Sequence, residues 1–261
     1  MSVLCVAVGV FGVTQLHDVI IVVCFGSGIM RFNATTYQRL TNINGQRDHY
    51  SCAVAACEQT SHVYIAYHWC IWRVSADGGD VRKWPLESRH TRGTFKPWTL
   101  SVTSTRLLVT SCYTKQLMQF DADGNELRRV HLPDYMKPYH AVESPTGTFI
   151  VSHRNTQLKQ GQVSEVNTGG EVLRQFPGSR LPSLNEPQHV AVDSHGNVFV
   201  VDSSNCHILL LDARLTLRRV IIDEHQLIYE EPQCLCYREQ SGQLLVGFAS
   251  NRSVLVFDVV N

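Results

Sequence analysis

Two histidines and two cysteines occupy matching positions in separate segments of this sequence. His140 in KPYH, His189 in EPQH and Cys234 in EPQC each follow a proline by two residues. Alignment with two further segments adds Cys52 and Thr99 to the set. Imidazole nitrogen and thiolate sulfur are ligands that zinc prefers, so these side chains permit a metal site if the fold brings them together.

A structural role explains the same residues without a metal. The candidate ligands come from scattered positions with no local spacing rule, and no CxxC pair occurs. Small cysteine and threonine side chains suit a crowded site, and the two histidines can satisfy buried hydrogen-bonding groups. We therefore expect no bound metal and no cofactor, and keep the zinc site as the alternative.

Motifs for other chemistry are missing. The sequence lacks the GxSxG, Walker and HExxH patterns. The segment DADGNE (residues 121–126) has the carboxylates of a calcium loop, but not the spaced glutamate that completes one. Asp-Gly is typical of a tight hairpin, so we predict a turn there. The chain is expected to be non-catalytic, with no small-molecule substrate.

Short apolar runs recur along the whole chain. The third run of each unit ends at a polar residue roughly every 45 residues. These ends are Asn33, Ser75, Asp121, Asn167, Asp212 and Asp258. In five units a more polar fourth run follows, as in NELRRVHL. Short runs rich in Val, Ile, Phe and Tyr, bounded by Gly, Asp, Asn and Ser, predict β-strands.

Four strands in each repeat of this length are typical of a β-propeller blade. We predict an all-β, six-bladed propeller with four-stranded antiparallel blades, forming one domain over residues 1–261. The blades are expected at about residues 10–45, 46–92, 93–134, 135–182, 183–227 and 228–261. The last unit has only three strands. Residues 1–9, with Ser2–Val8 as the strand, are therefore predicted to complete it and close the ring.

Composition restricts the partners and the compartment. The 23 basic and 23 acidic residues balance, which argues against a globally basic nucleic-acid binder. The nine cysteines are irregularly spaced and lie mostly in apolar runs, as expected of buried thiols in a reducing compartment. The apolar N-terminal stretch has no basic residue before Arg31, unlike a signal peptide. We predict a cytoplasmic protein that is not inserted in a membrane.

One repeat is close to a known pattern. EPQHVAVDSHGNVFVVDSSNCHILLLD (186–212) resembles an NHL repeat, and KPYHAVESPTGTFIVSHRN (137–155) and EPQCLCYREQSGQLLVGFASNRSVLVFD (231–258) resemble it more weakly. The whole chain is similar to the six-bladed NHL propeller that ends many tripartite-motif (TRIM) ubiquitin ligases. The NHL repeat has a glycine two residues after its proline. This chain has His140 and His189 at that position instead.

The resemblance implies a recognition module. In that family the propeller binds protein or RNA, mostly through its top face, and a separate RING domain carries the ligase chemistry. This chain has no such Cys/His cluster. It is therefore expected to be the substrate-binding part of a TRIM-NHL-like ubiquitin ligase, without catalysis of its own.

A metal-dependent lyase or hydrolase is the alternative function. Some NHL-like propellers, such as the peptide-amidating lyases, bind metal through histidines in the central channel. In those enzymes the histidine directly follows the proline, whereas His140 and His189 come one residue later. Such an enzyme would use Cys52, His140, His189 and Cys234, with Thr99 beside them, as a ring at the mouth of the channel.

The loops of the middle blades are the predicted binding surface. In a propeller, the loops that join successive blades and the turns between second and third strands share one face, which we call the top face. The candidate binding residues there are Arg89, Arg92, Lys96, Trp98, Tyr113, Lys115, Lys137, Tyr139, Arg154 and Lys159. Cations with interleaved aromatics suit single-stranded RNA, and variable loops on a rigid scaffold suit a protein. The balanced net charge favours a protein partner, and an ordinary mixed surface is the alternative.

Overall fold

The computed structural model describes residues 2–6, 9–24, 28–43, 51–67, 70–85, 96–111, 113–176, 183–223, 230–250 and 253–259, with the backbone alone for residues 5, 51 and 52. Within these ranges the chain forms six antiparallel sheets. The architecture is a six-bladed β-propeller, which confirms the fold class predicted from the repeats. In the described part of the chain, no helix has the length and apolar character needed to span a membrane.

The strands follow the repeats closely. Blade one contains β2 (Val10–Leu16), β3 (Val19–Cys24) and β4 (Gly28–Asn33). Blade two contains β5 (Ser51–Cys57), β6 (His62–Tyr67), β7 (Cys70–Ser75) and β8 (Val81–Trp84). Blade three contains β9 (Thr99–Thr103), β10 (Arg106–Ser111), β11 (Gln116–Phe120) and β12 (Glu126–His131).

The later blades have the same plan. Blade four contains β13 (Met136–Glu143), β14 (Phe149–Asn155), β15 (Gln160–Val166) and β16 (Val172–Phe176). Blade five contains β17 (Pro187–Val192), β18 (Val198–Asp202), β19 (His207–Leu211) and β20 (Leu217–Ile222). Blade six contains β21 (Pro232–Arg238), β22 (Gln243–Phe248), β23 (Ser253–Asp258) and the N-terminal strand β1 (Ser2–Cys5).

The first strands of the blades form the inner ring. Each one contacts the first strand of the next blade, in the order β2, β5, β9, β13, β17, β21 and back to β2. The ring is therefore closed around a central channel. Blade one meets blade six both through this contact and through the β1 strand.

The N-terminal strand completes blade six, as predicted. It pairs antiparallel with β23, with Ser2 opposite Val256 and Cys5 opposite Ser253. Leu4 is only 1% exposed and packs in the core between blades six and one, whereas its neighbour Val3 is 50% exposed. The opposite orientation of these two side chains is the alternation expected of a strand with one buried face.

The regularly spaced polar residues at the ends of the third strands stabilise the turns that follow them. Asp121 and Asn167 each accept hydrogen bonds through Oδ1 from the backbone N–H groups two and four residues later, at 2.8 to 3.0 Å. Asp212 does the same at 2.8 and 2.9 Å. A short side chain with an acceptor oxygen is required for such a turn, which explains the repeat. The DADGNE segment is therefore a hairpin turn, as predicted.

Blade one departs from the prediction of a fourth strand. The segment after β4 pairs with it through isolated bridges only, Phe32 with Arg39 and Ile29 with Ile43. Between these bridges the backbone N–H of Leu40 donates to the carbonyl of Arg31 at 2.8 Å, and the Nε of Arg31 donates to the carbonyl of Thr41 at 2.9 Å. The blade accordingly has three regular strands and an irregular fourth segment.

The core lies between the blades, where large apolar side chains interlock. Trp84 contacts Tyr64 and Phe120 edge to face, with ring centroids 5.6 and 5.5 Å apart. Its indole Nε1 donates to the carbonyl of Ala122 at 3.2 Å. Aromatic pairs of this geometry contribute beyond their buried area, so this cluster fixes blade two against blade three.

Asp202 fixes the segment that precedes β17 against blade five. Its buried carboxylate accepts the backbone N–H groups of Asn185 and Glu186 at 3.2 and 2.9 Å, and the side-chain amide of Asn205 at 2.7 Å. We expect Asp202→Ala to lower the free energy of unfolding by about 2 to 3 kcal/mol, because buried donors lose their acceptor. Urea denaturation tests this. The exposed Asp123→Ala is the control, with an expected change below about 0.5 kcal/mol; equal effects of both variants would contradict the prediction.

Candidate functional site

The central channel contains two of the predicted site residues. It encloses about 190 Å³ and is lined by residues from all six inner strands, with His140 of β13 and His189 of β17 among them. Both histidines lie just after a β-bulge, since the pairing register shifts between Pro138 and His140 and again between Pro187 and His189. A bulge re-aims the side chains that follow it. The bulge thus gives both rings the same direction.

His140 is buried and uses both ring nitrogens. Its Nε2 lies 3.0 Å from the carbonyl oxygen of Leu100, so Nε2 carries the proton and donates. Its Nδ1 accepts the backbone N–H of Val190 at 3.5 Å. One imidazole therefore connects blades three, four and five. Burial lowers the pKa of His140 to about 4, so the ring is neutral at physiological pH.

His189 stacks on His140. The ring centroids are 3.8 Å apart and the planes are inclined by 19°. Burial, and next the neighbouring His140, lower the pKa of His189 well below its usual range. Its Nδ1 is buried and has no hydrogen-bond partner in the described structure. The stack thus consists of two neutral rings, and protonating either would place a charge against its neighbour.

This geometry does not fit a metal site. Imidazole lone pairs lie in the ring plane, and two nearly parallel planes do not direct them at one common point within the distance of about 2 Å that zinc needs. His140 would also have to give up its bonds to Leu100 and Val190. Among the described residues, no group of three or more His, Cys, Asp or Glu side chains is arranged to hold a metal ion.

The structure does not assemble the rest of the predicted ring. Cys234 occupies the position of His140 in register, but its short side chain packs in the core between blades six and one, next to Gly247. Burial raises the pKa of this thiol. Thr99 is buried and donates to the carbonyl of Tyr139 at 2.8 Å.

The alignment of Cys52 was wrong by one residue. The register of β5 shifts between Ser51 and Ala53, so Cys52 lies at the bulge and Ala53 is the counterpart of His140. The Cys52 side chain lies outside the described residues. The six cysteines whose side chains are described are free thiols: Cys24, Cys57, Cys70, Cys206, Cys234 and Cys236.

The predicted top-face cations that the structure describes come from blades three and four. Lys96 lies over the ring of Tyr113, with Nζ 5.3 Å from the centroid. Lys115 donates to the backbone carbonyl of Asp134 at 2.6 Å and pairs with its carboxylate at 3.2 Å. Trp98 is half-buried beside them. Arg89 and Arg92 lie outside the described residues.

Blade four supplies the remaining candidates. Lys137 and Arg154 are exposed and directly opposite each other on β13 and β14. Tyr139 is partly buried, and its pKa is raised by burial and next by Glu186, while Arg154 acts in the opposite direction. Lys159 is exposed in the β14–β15 turn, with a left-handed φ of 58°. With Lys96 and Lys115, these five cations come from loops and strand ends on one side of the blades.

Leu158 is a residue of the top face that the sequence pattern did not identify. Leu158, in the turn after β14, is 61% exposed, and Tyr113, in the equivalent turn of blade three, is 60% exposed. Leu158 is the one leucine within HRNTQLKQGQ, an otherwise polar loop, and that contrast was the available signal. A large apolar side chain held on a rigid turn is an efficient contact residue, so the face offers both apolar and cationic contacts.

Comparisons with known proteins establish the fold. No family model matches the sequence, and no curated protein is similar to it. The WD40 β-propeller domain of Doa1 is similar in structure, with 13% identity, a TM-score of 0.66, and coverage of 100% of this chain and 96% of that chain. The β-propeller domain of Myceliophteria thermophila Cps50 (Swd1) has 9% identity, a TM-score of 0.61, and coverage of 97% and 98%.

A third solved structure is also similar in fold. A chain of the nidogen/laminin complex has 14% identity and a TM-score of 0.65, and the similarity covers 83% of this chain and 81% of that chain. At such low identities the similarity concerns the fold alone. The chain is a β-propeller, a fold that commonly serves as a scaffold for protein interactions.

Proposed function

We propose that this propeller is a non-catalytic recognition module that binds a protein on the top face of blades three and four. The observation that carries the proposal is the pair of exposed apolar side chains, Tyr113 and Leu158, on equivalent turns of neighbouring blades. Apolar anchors surrounded by cations favour a partner segment with an apolar side chain and acidic neighbours. The cations steer such a segment, and the anchors hold it.

A protein fits this face better than single-stranded RNA. Base stacking requires an open aromatic face, and Lys96 lies over the ring of Tyr113. Leu158 has no π-surface to offer a base. Lys115 is engaged by Asp134, which reduces the positive charge available for phosphates. The chain as a whole carries no net charge.

We further propose that the module selects substrates for a ubiquitin ligase of the TRIM-NHL type. This finer proposal rests on the NHL-like segment 186–212, with its Asp193 and Asp202 in the pattern's positions. A RING domain carrying the ligase chemistry would belong to another part of the protein or to a partner chain. The metal-dependent enzyme is not proposed, because the stacked His140–His189 pair does not converge on a metal.

The double variant Tyr113→Ser/Leu158→Ser tests the proposed face. We expect it to weaken binding of partner proteins at least tenfold, because exposed central anchors dominate interface energies. Partners cross-linked to the wild-type propeller in cell extract would be quantified by mass spectrometry and confirmed with the purified partner by titration. The control is Leu127→Ser/Leu173→Ser, which removes two leucines that are each 51% exposed on the outer strands.

Two results would contradict this function. One is equal loss of partners in the control, which would mean that exposed leucine alone matters and not the top face. The other is salt-dependent binding of a random single-stranded RNA pool that falls with Lys137→Glu/Arg154→Glu, measured by fluorescence anisotropy at two salt concentrations. That second result would assign the top face to RNA.

A further inference from the structure

A groove of about 810 Å³ opens between blades five and six on the bottom face, opposite the top face. One wall is formed by two turns of blade five, residues 193–197 and 212–216, together with strand β20. The other wall is formed by Tyr237 and the turn between β21 and β22. Turns that join first to second and third to fourth strands lie on this side of every blade, so the groove is separate from the proposed protein-binding face.

The carboxylates of the groove accept hydrogen bonds from nearby turns of the protein. Asp193 and Asp212 each accept backbone N–H groups from the residues two and four positions later, at 2.7 to 2.9 Å. Glu239 accepts the backbone N–H of Ser194 at 3.1 Å and also its hydroxyl. These three carboxylates accept hydrogen bonds from the protein itself and thereby stabilise the turns that form the walls of the groove.

Two arginines of the groove are not held by hydrogen bonds in this way. Arg214 and Arg218 are exposed, and within the described ranges no hydrogen bond or ion pair of their guanidinium groups is seen, although Arg218 attracts the Asp212 carboxylate electrostatically. Arg219 and His195 lie in the same lining. The groove therefore offers two guanidinium groups without a hydrogen-bond partner among the described residues, while the three carboxylates and three arginines of its lining balance in formal charge.

The far wall is rigid. The ring of Tyr237 stacks on Phe199 of blade five, with centroids 4.6 Å apart and planes inclined by 25°. Burial, and next Glu239 and Asp193, raise the pKa of Tyr237, so its hydroxyl stays protonated and can donate. The stack holds the Tyr237 hydroxyl in place as one hydrogen-bond donor. The exposed guanidinium groups of Arg214 and Arg218 are the other donors of the groove.

We propose that this groove binds a phosphorylated serine or threonine within an extended peptide. A phosphate dianion presents three acceptor oxygens and pairs with guanidinium groups in bidentate fashion, which matches a surplus of arginine donors. The groove is much larger than one phosphate group needs, so it also has room for the flanking peptide residues. Arg214 and Arg218 are assigned to the phosphate, and Tyr237 to the peptide or to the third oxygen.

Peptide titrations test the assignment. The probes are two fluorescein-labelled nine-residue pools, degenerate except for a central residue that is phosphoserine in one and serine in the other. We expect the phosphoserine pool to bind at least tenfold more tightly in fluorescence anisotropy. Arg214→Gln/Arg218→Gln should remove that advantage, whereas Arg128→Gln should keep it, because Arg128 lies in the same LRRV sequence on the outer strand of blade three, outside the groove.

The outcomes separate this groove from the top face. Equal binding of the two pools, or an unchanged phosphoserine advantage in the double arginine variant, would overturn the proposal. Equal binding of a third pool with central glutamate would also overturn it, because the site would then recognise any acidic peptide. Tyr113→Ser/Leu158→Ser should leave the phosphoserine advantage intact, so failure of the top-face function would not remove this one.

Discussion

Leu4→Asp is expected to lower the free energy of unfolding by about 4 kcal/mol and the melting temperature by roughly 10 °C. Leu4 is the buried side chain of β1, in the cluster that joins blades six and one. A carboxylate there would lose its hydration without gaining a partner. It would also detach β1 from β23, which opens the ring and exposes a strand edge. Thermal and urea denaturation followed by circular dichroism measure both quantities.

The neighbouring residue supplies a matched control. Val3→Asp places the same side chain on the same strand, but at a position that is half exposed. We expect a change below about 1 kcal/mol, because a surface substitution of this kind disturbs no core contact. If Val3→Asp and Leu4→Asp destabilise the protein equally, β1 does not alternate as described. If neither has an effect, β1 does not close the ring.

The repeats predicted the fold because each carries its own local determinants. A polar residue such as Asp121 or Asp212 is needed where a turn must bind two backbone N–H groups, so it recurs with the blade. Buried strands such as β18, VFVVD, need apolar side chains on both faces. Both requirements are local and therefore visible in the sequence. The fourth segment of blade one departs from the pattern, since it forms isolated bridges and one bond to the Arg31 side chain instead of a regular strand.

The candidate site was less predictable because it depends on single-residue register. Chain position placed Cys52 in line with His140, but β5 and β13 have equivalent bulges, and Ala53 is the residue that follows the bulge as His140 does. Side-chain length also mattered, since Cys234 has the register of His140 and does not reach the channel lining. The stacking of His140 on His189 depends on the approach of blades four and five, which no local pattern encodes.

The exposed surfaces illustrate the same limit. Leu158 was overlooked because one leucine in a polar loop is ordinary. Its significance comes from the fold, which places it on the turn of blade four that is equivalent to the turn of Tyr113 in blade three. The arginines of the bottom groove come from a turn and a strand of blade five. Their surroundings depend on Asp193 and Asp212 accepting backbone N–H groups, which is a property of the folded turns.

The protein is expected to lose stability as the pH falls from about 6.5 to about 4, because its buried histidines resist protonation. Burial lowers the pKa of His140 and of His153 to about 4, and lowers that of His189 as well. In the unfolded chain each titrates near 6.5. Between these values the unfolded state takes up protons that the folded state does not, so acid favours unfolding. Above about 6.5 these groups contribute no pH dependence.

The expected loss is on the order of 3 kcal/mol for each histidine whose pKa is shifted this far. Urea denaturation at a series of pH values between 4 and 7.5 measures it. Because buried carboxylates titrate in part of the same range, the informative quantity is the difference between the wild type and a variant. His189→Leu removes one titrating ring whose Nδ1 has no partner, so little hydrogen bonding is lost.

His189→Leu should therefore change stability little at pH 7.5 and flatten the decline below about pH 6.5. His131→Leu is the control, since His131 is exposed on β12, and its curve should run parallel to that of the wild type. Parallel curves for His189→Leu and the wild type would contradict the assignment of a neutral stacked pair. A flattened curve would show that His189 stays uncharged against His140 in the folded protein.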